Sequence, residues 1–504
     1  MRRREFLRSV GLGAAAVALG GCEEDKASAG RRPNVVFILT DDQRWDQMSC
    51  AGHKYLKTPH LDRIAAEGAH FLNAFVTTSL CSPSRASFLS GLYAHTHGVT
   101  NNFTDYPARL TSFPMRLREE GYETAYIGKW HMGEADDRKR PGFDYWVSHK
   151  GQGKYFDNTW NVNGERKVVK GYYTTNVTKL AVEWIKARRG KLGGRTDRPF
   201  LLIVGHKASH TPFTPEPKYA KSLDSMPVEY PKSAFALDGK PKWVRQRIAT
   251  WHGIYGPIYG FREKFPDTSP ESVKDFARFS RSYSAALKSV DDSVGRIYQT
   301  LKDLGELDNT LVVFAGDNGM FLGEHGMTDK RTMHEESIRI PMLARLPRLI
   351  RPGTKVTRQV LNIDLAPSVL EICGARPLKK THGASWARLL AGDATGWRKS
   401  WYYAYNYEKQ FPYTPNVRGV RTDEWKYVHY PHGDGKADRH KAELYHLASD
   451  PHELKNLIDD PKHAAVVERL KKELARLMAA TDALPDKMPL DEGVKQRLPD
   501  EKIR

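Results

Sequence analysis

Four short apolar runs constrain the fold more than any other feature of this sequence. Each is too short for a helix and rich in β-branched or aromatic residues, as expected for strands buried on both faces of a sheet. Segments with helical periodicity separate them, so we expect a large, doubly wound, mixed α/β sheet sandwiched by helices. The runs are Val35–Leu39, Thr124–Ile127, Phe200–Val204 and Leu311–Phe314.

Polar side chains follow each of the four predicted strands. In a doubly wound sheet, ligands bind at the carboxyl ends of the strands. Four clusters of acids and bases at the same edge therefore predict a single site. The clusters are Asp41-Asp42, Lys129 with His131, His206 with His210, and Asp317-Asn318.

Two of these clusters predict a metal site. Asp41, Asp42, Asp317 and Asn318 offer four side-chain oxygens and no soft donor. Such a set favours Ca²⁺ or Mg²⁺ over Zn²⁺. Carboxylates delivered together to the edge of a sheet repel each other, and a cation removes that repulsion.

Two helices are predicted next to these strands. Thr58 can cap a helix that Pro59 opens. A longer amphipathic helix ends at Gly305, and the pair Asp291-Asp292 within it is expected to be solvated. Its apolar positions are Tyr283, Leu287, Val290, Val294, Ile297, Leu301 and Leu304.

A cysteine begins another short predicted helix, which Gly91 ends. Cys81 is followed one turn later by Arg85. A cysteine at a helix N-terminus is expected to have a lowered pKa and to lie where anions bind, and Arg85 can reach the same anion or hold the loop. The alternative is a buried structural thiol.

The segment around Cys81 and several other motifs resemble those of a known enzyme family. The segment Cys81-Ser82-Pro83-Ser84-Arg85 resembles the Cys-x-Pro-x-Arg activation motif of type I sulfatases, and other motifs occur in that family's order over roughly residues 33 to 465. These motifs are Asn34 through Asp42, Gly128-Lys129-Trp130-His131, His210-Thr211-Pro212, Gly316-Asp317-Asn318-Gly319, Lys330 before His334-Glu335-Glu336-Ser337, Arg339-Ile340-Pro341, Arg418-Gly419-Val420-Arg421 and Asp450-Pro451-His452-Glu453.

The resemblance implies a role for each matched residue. Cys81 would be oxidised to the formylglycine nucleophile by a formylglycine-generating enzyme, and residue 81 would join the four oxygen donors around Ca²⁺. Arg85 and Lys129 would steady the formylglycine. We expect His131 to act as the base that assists release of sulfate. His210 and Lys330 would face the sulfate and the leaving oxygen, with His210 as the general acid.

The same resemblance suggests a sulfated saccharide as substrate, because the pattern is closest to glycan-acting members such as N-acetylglucosamine-6-sulfatases. His206, His95 and His97 are weaker candidates for contacts with the sugar. One alternative function is a phosphonate or phosphate monoester hydrolase of the same alkaline-phosphatase-like superfamily. Another is a non-catalytic binder of sulfated polysaccharide. Nucleic acid is disfavoured because the basic residues are dispersed.

The first residues predict export. Residues 1–21 contain Arg3-Arg4 and a short apolar segment, which resembles a twin-arginine signal, and the following Cys22 closes a lipobox-like sequence. An ordinary signal cut near Ala27–Ala29 is the alternative. We expect the protein to use the export machinery, to lie in the periplasm or cell envelope, and to touch the membrane only through a lipid on Cys22. Residues 22–32 would be a tether.

The net charge and the distribution of residue types along the chain give the remaining predictions, which concern the substrate and the domain boundaries. The formal net charge is +19, and most of it remains when residues 1–21 are removed, which suits a polyanionic substrate. We expect a catalytic domain over residues 33–392 and a small α+β domain of aromatic strands over 393–485. Residues 486–504 would form a tail.

Overall fold

The four apolar runs form four adjacent strands in the middle of a ten-stranded sheet. The computed structural model describes residues 30–190, 198–247, 267–434 and 439–494. The described residues from 33 to 494 belong to one compact unit, and the last ten residues of the predicted tail are outside the description. The predicted signal, Cys22 and most of the tether lie outside the described residues. None of the described helices is long and apolar enough to cross a membrane.

The strands are numbered in chain order. They are β1 (Asn34–Thr40), β2 (Ala69–Phe71), β3 (Ala74–Phe75), β4 (Glu123–Gly128), β5 (Tyr145–Ser148), β6 (Phe156–Val162), β7 (Glu165–Tyr172), β8 (Phe200–Gly205), β9 (Thr310–Gly316), β10 (Phe321–Leu322), β11 (Thr328–Asp329), β12 (Arg339–Ile340), β13 (Met342–Arg345), β14 (Thr354–Val356), β15 (Val360–Leu361), β16 (Ser400–Tyr405), β17 (Val417–Thr422), β18 (Trp425–His429) and β19 (Glu443–His446).

The α-helices follow the same order. They are α1 (Pro59–Glu67), α2 (Cys81–Ser90), α3 (Ala94–His97), α4 (Phe113–Glu119), α5 (Tyr173–Gly190), α6 (Pro270–Asp303), α7 (Glu335–Ile338), α8 (Leu365–Ile372), α9 (Ala387–Leu390) and α10 (Ala464–Ala480).

The large sheet has the order β14-β2-β13-β9-β1-β8-β4-β5-β6-β7. Its central strands β9, β1, β8 and β4 are parallel, and β4 also pairs with β5 in parallel. Antiparallel pairs between β13 and β9 and between β5 and β6 extend the sheet on both sides. The predicted large mixed sheet is therefore confirmed.

Helices cover both faces of this sheet because alternate residues of its central strands point to opposite sides. Phe37 of β1 belongs to the hydrophobic cluster that contains Phe88 of α2 and residues of α4 and α8. Ile38 belongs to the opposite cluster, which contains Val294 of α6 and residues of α1 and α5. The sheet is thus buried on both faces, as the continuous apolar runs indicated.

Helix α6 contains the expected apolar face, but one prediction about it is wrong. Asp291 is not solvated: it is 3% exposed, and its carboxylate accepts hydrogen bonds from the backbone amides of His60 and Leu61 at 2.9–3.3 Å. It therefore caps the N-terminus of α1 from a neighbouring helix. Thr58, the predicted cap, makes no capping bond to that helix.

The C-terminal part is a four-stranded antiparallel sheet in the order β16-β17-β18-β19, with α10 packed on it. The aromatic segments that predicted strands lie in β16, β18 and β19. Trp401 and Val420 belong to the same hydrophobic cluster as Phe37 of the large sheet. The smaller C-terminal α+β unit is confirmed, and it shares a core with the main sheet.

Candidate active site

The carboxyl ends of β9, β1, β8 and β4 meet at one edge of the sheet. The last residues of these strands are register partners, since Thr40 pairs with Gly316 and Gly128 pairs with Gly205. Gly128 has φ +120°, and a Cβ there would lie 2.0 Å from the carbonyl oxygen of Gly205. This close approach of two backbones brings the loops after β4 and β8 together, as predicted.

An acidic cluster lies at this edge. Asp41, Asp42, Asp317 and Cys81 each offer a ligand atom, and these atoms lie within 4.8 Å of one another. Asp42 Oδ2 and Asn318 Oδ1 are buried and accept no hydrogen bond within the described residues. Unpaired buried oxygens are costly unless a cation binds them, so this donor set fits the oxygen-liganded metal ion that the sequence predicted.

The charges of the cluster agree with this fit. Burial and the neighbouring Asp41 raise the pKa of Asp317 to about 7. Burial also raises the pKa of Asp42, against the effect of Lys330. Burial alone would raise the pKa of Asp41 as well, but Lys129 and Arg85 hold it well below its usual range. Two of the three carboxylates therefore resist ionisation, which a divalent cation would reverse.

Cys81 is the first residue of α2 and lies inside this cluster. Its thiol donates to Asp41 Oδ1 at 3.4 Å, and Lys330 Nζ lies 3.4 Å from the sulfur. The predicted lowering of the thiol pKa is wrong, because burial and the charge of Asp41 raise it to about 12. Desolvation therefore raises the pKa of Cys81 by more than the helix N-terminus lowers it. The unmodified thiol is therefore protonated at neutral pH and is a weak nucleophile.

Arg85 holds the loops of the site together. Its Nε donates to Asp317 Oδ2 at 2.8 Å, and its Nη1 donates to the carbonyl oxygen of Lys129 at 2.6 Å. Arg85 is 2% exposed, and its Nη2 has no hydrogen-bond partner among the described residues. One side chain thus fixes β9 and the loop after β4, and it keeps one donor available for an anion.

Two buried lysines neutralise the aspartates. The ammonium of Lys129 pairs with Asp41 and donates to Gln152, while the ammonium of Lys330 pairs with Asp42. Asp42 keeps the pKa of Lys330 well above its usual value, against the effect of burial. Both lysines that the sequence predicted therefore lie next to the cluster, each in an ion pair with one aspartate.

The two predicted proton-transfer histidines also border the cluster. His210 Nδ1 donates to the carbonyl oxygen of Thr211 at 3.0 Å, which leaves Nε2 3.9 Å from Asp42 Oδ2. Burial and nearby lysines, Lys129 first, hold the pKa of His210 well below its usual value. His131 is buried, and its Nε2 lies 3.3 Å from Glu134 Oε1.

The weaker histidine candidates are placed differently. Both ring nitrogens of His97 bond within the protein, to Ser87 Oγ and the amide of Val99. Those of His95 bond to the hydroxyl of Tyr402 and the carbonyl of Thr481, so neither histidine has a free nitrogen for a sugar. His206 is fully buried beside Arg85, and burial lowers its pKa to about 3.

Sequence reasoning missed two residues of the site. Lys207 is 2% exposed, and burial together with Lys129 lowers its pKa to about 7. Its position one residue after His206, at a strand end, was a signal that should have included it. Gln152, which accepts from Lys129, lies in a glycine-containing loop where no pattern identifies it.

Comparison with known proteins identifies two matching family models. The model described as Sulfatase matches residues 33–375, which is more than half of the chain. The model described as N-sulphoglucosamine sulphohydrolase, C-terminal, matches residues 323–480. Together they cover the large sheet, the candidate site and the C-terminal sheet.

Individual relatives are similar over most of the chain. An N-acetylglucosamine-6-O-sulfatase of Bacteroides thetaiotaomicron is 30% identical, and the alignment covers 93% of this chain and 89% of the relative. The human N-acetylglucosamine-6-sulfatase is 32% identical, with 76% of this chain and 69% of the relative covered.

Solved structures show the same fold. One structure, described as a complex with its substrate D-glucosamine-2-N,6-O-disulfate, superposes with a TM-score of 0.82 at 29% identity, covering 92% of this chain and all of the other. A phosphonate monoester hydrolase of Agrobacterium radiobacter superposes with a TM-score of 0.69 at 24% identity, covering 93% of this chain and all of the other. The second likeness concerns the fold alone.

Proposed function

Because this chain belongs to the sulfatase family and is a sulfuric ester hydrolase, we propose that it removes sulfate from saccharides of sulfated glycans. The observation that carries this proposal is the similarity, over nearly the whole chain, to proteins named for N-acetylglucosamine 6-sulfate esters. A sulfated glucosamine is therefore the first substrate to test. The net charge of +19 suits a polyanionic glycan.

The proposal includes oxidation of Cys81 to formylglycine by a formylglycine-generating enzyme. The hydrated aldehyde of this residue supplies a hydroxyl nucleophile and a route for releasing sulfate. Two observations support the modification: the Cys81–Arg85 segment matches the activation motif, and the pKa of the thiol, raised to about 12 by burial, makes the unmodified side chain unsuited to attack.

The proposal also includes a divalent cation, with Ca²⁺ favoured. Asp41, Asp42, Asp317 and Asn318 would hold it, and residue 81 lies among their ligand atoms. The unpaired oxygens of Asp42 and Asn318 support this assignment. A bound Ca²⁺ would stabilise negative charge on the sulfate oxygens.

The remaining residues act by charge and proton transfer. Arg85 keeps one N–H donor free beside residue 81 and orients Asp317, the residue with which it forms a buried ion pair. Lys330 lies 3.4 Å from the sulfur of Cys81, so its ammonium stabilises negative charge that develops next to that residue. His210 Nε2 is the unprotonated ring nitrogen, since the Nδ1 proton is bonded to Thr211, so His210 must take up a proton at Nε2 before it can act as an acid. An anionic sulfate ester beside the ring would favour that protonation. We assign proton donation to the leaving oxygen to His210 and the assisting base to His131.

We further propose that the protein is exported and lipid-anchored, on the evidence of residues 1–21 and Cys22. Fractionation of the native host tests this, with wild-type protein expected in the envelope fraction. A Cys22→Ala variant should be released from the membrane, and a wild-type protein that stays in the cytoplasm would contradict the proposal.

The main experiment compares defined substrates on the mature enzyme, produced together with a formylglycine-generating enzyme. N-acetylglucosamine 6-sulfate, its 6-phosphate analogue, an aryl sulfate and an aryl phosphonate monoester are tested. Released sulfate and phosphate are measured by ion chromatography, and the phenol released from the two aryl substrates is measured by absorbance. We expect the sulfated sugar to give the highest kcat/KM and Cys81→Ala to be inactive. Dominant phosphonate turnover would overturn the proposal in favour of a monoester hydrolase, and binding without turnover would favour a polysaccharide binder.

A further inference from the structure

A third lysine, Lys207, lies next to the candidate site, and the reaction proposed above assigns it no role. It is 2% exposed, as buried as Lys330. Its Nζ donates to the carbonyl oxygen of Thr211 at 3.2 Å and lies 5.1 Å from the centre of the Tyr155 ring. In the described part of the chain, Lys207 forms no ion pair. An ammonium has three donors, so two of them have no acceptor among the described residues.

Lys207 differs in this respect from the other two lysines. Lys129 and Lys330 each form an ion pair with an aspartate of the cluster. Their positive charges are paired with aspartates of the cluster that would also hold a cation. The charge of Lys207 has no such anion and is available to an anion that arrives from outside.

The backbone around Lys207 is fixed relative to the cluster. The amide of Asp41 donates to the carbonyl of Ala208 at 3.1 Å, and the amide of Ser209 donates to the carbonyl of Asp41 at 2.8 Å. Lys207 Nζ and His210 Nδ1 donate to the same oxygen, the carbonyl of Thr211. The ammonium is therefore held beside the imidazole that faces Asp42, at the edge of the site.

The surroundings of Lys207 favour an anion. Burial and the positive charge of Lys129 lower the pKa of Lys207 to about 7, while Asp41, Asp42 and Cys81 act in the opposite direction. A buried ammonium without an anion is unfavourable, and an oxyanion within hydrogen-bond distance removes that penalty.

We propose that Lys207 is a substrate-binding residue whose ammonium donates a hydrogen bond to an oxygen of the sulfate ester, beside His210. The contact is made by the sulfate and not by the sugar. The proposal therefore rests on membership of the sulfatase family and is independent of which glycan is the substrate.

The test compares Lys207→Met and Lys207→Arg with wild type. Two readouts are used: kcat and KM for an aryl sulfate, and the inhibition constant of inorganic sulfate. Loss of one charge-assisted hydrogen bond should raise the inhibition constant roughly 10–100-fold in Lys207→Met. Lys207→Arg, which retains the charge, should stay within about fivefold of wild type. Lys221→Met, an exposed lysine on the same segment, is the matched control and should behave as wild type.

The outcomes separate binding from a structural role. An unchanged inhibition constant in a folded Lys207→Met variant would overturn the proposal. Equal defects in both variants, accompanied by the same drop in melting temperature, would also overturn it, because packing and not charge would then be responsible. The aryl sulfate contains no sugar, so a failure of the glycan assignment leaves this result unaffected.

Discussion

The buried ion pair between Arg85 and Asp317 provides the sharpest test of how the site is held together. We predict that Arg85→Met and Asp317→Asn each destabilise the metal-free protein, and that the double variant is less destabilised than the sum of the two. Arg85 donates to Asp317 Oδ2 at 2.8 Å, with side-chain exposures of 2% and 0%. Asparagine at position 317 can still accept from the amide of Asp42, a bond of 3.0 Å in the structure.

The magnitude follows from burial. Removal of one partner of a buried ion pair leaves the other uncompensated and costs about 3–5 kcal/mol. At about 2 cal/mol/K of unfolding entropy per residue, 504 residues correspond to roughly 1 °C per kcal/mol, so Arg85→Met should melt about 3–5 °C lower. We expect a coupling energy of about 2–3 kcal/mol from the cycle of variants.

The assay is urea and thermal unfolding in the presence of EDTA, which keeps metal ions from changing the charge of the cluster. It is run well above the raised pKa of Asp317, about 7, so that the carboxylate paired with Arg85 is ionised. The control is Arg476→Met, because Arg476 pairs with Glu473 at 2.7 Å on the surface of α10 and its side chain is 61% exposed. An exposed pair contributes about 0–1 kcal/mol, so this variant should be nearly neutral. Arg85→Met should also lower kcat at least roughly 100-fold, since it removes a donor from the site.

Additivity of the two single variants within about 0.5 kcal/mol would refute this reasoning. It would mean that Arg85 and Asp317 contribute independently, and that the 2.8 Å contact is not what fixes β9 to the loop after β4. A control variant as damaging as Arg85→Met would refute it as well, because burial would then not decide the cost.

Three further predictions concern the metal, the α1 cap and the C-terminal sheet. Chelation should lower activity more than about 100-fold, and Ca²⁺ should restore it where Zn²⁺ does not, as measured by sulfate release; full activity in EDTA would contradict this. Burial raises the pKa of Asp291 to about 6, so native protein retains its proton longer than the unfolded chain and stability falls as pH rises from about 4 to 6. Asp291→Asn should therefore gain about 1 kcal/mol relative to wild type between pH 5 and 7.5 in urea unfolding, and a constant difference would refute the raised pKa. Arg421→Met should cost about 2–3 kcal/mol, because Arg421 donates twice to buried Glu335 at 2.9–3.0 Å, while Lys471→Met in an exposed pair should cost under about 0.5 kcal/mol; equal losses would contradict this.

The sequence predicted the centre of the fold well because burial on both faces leaves a direct signature. The runs around Phe37 and Val313 are apolar at every position, and these runs form adjacent parallel strands. The polar residues after them must then meet at one edge, since parallel strands end on the same side. Asp42 and Asp317 were brought together by that topology, not by any local pattern.

The parts that the sequence did not predict depend on contacts between distant segments. Asp291 caps α1 across 230 positions of sequence, and no periodicity of its own helix indicates that partner. The pKa of Cys81 depends on burial and on Asp41, 40 positions earlier, and both outweigh the local effect of the helix N-terminus. Such effects are properties of the assembled site.

The arrangement of charge suggests why this site carries more lysines than its metal cluster requires. Burial and the neighbouring Asp41 raise the pKa values of Asp42 and Asp317, so a cation that binds these carboxylates must displace protons from them. Lys129 and Lys330 offset the remaining negative charge and lie on the aspartates themselves. A sulfate ester bound at residue 81, as we propose, would add a negative charge, and the two lysines are already paired with aspartates. Lys207, which is buried and forms no ion pair within the described residues, would supply a third positive charge in that proposal, so the cation and the sulfate would be balanced by different charged side chains.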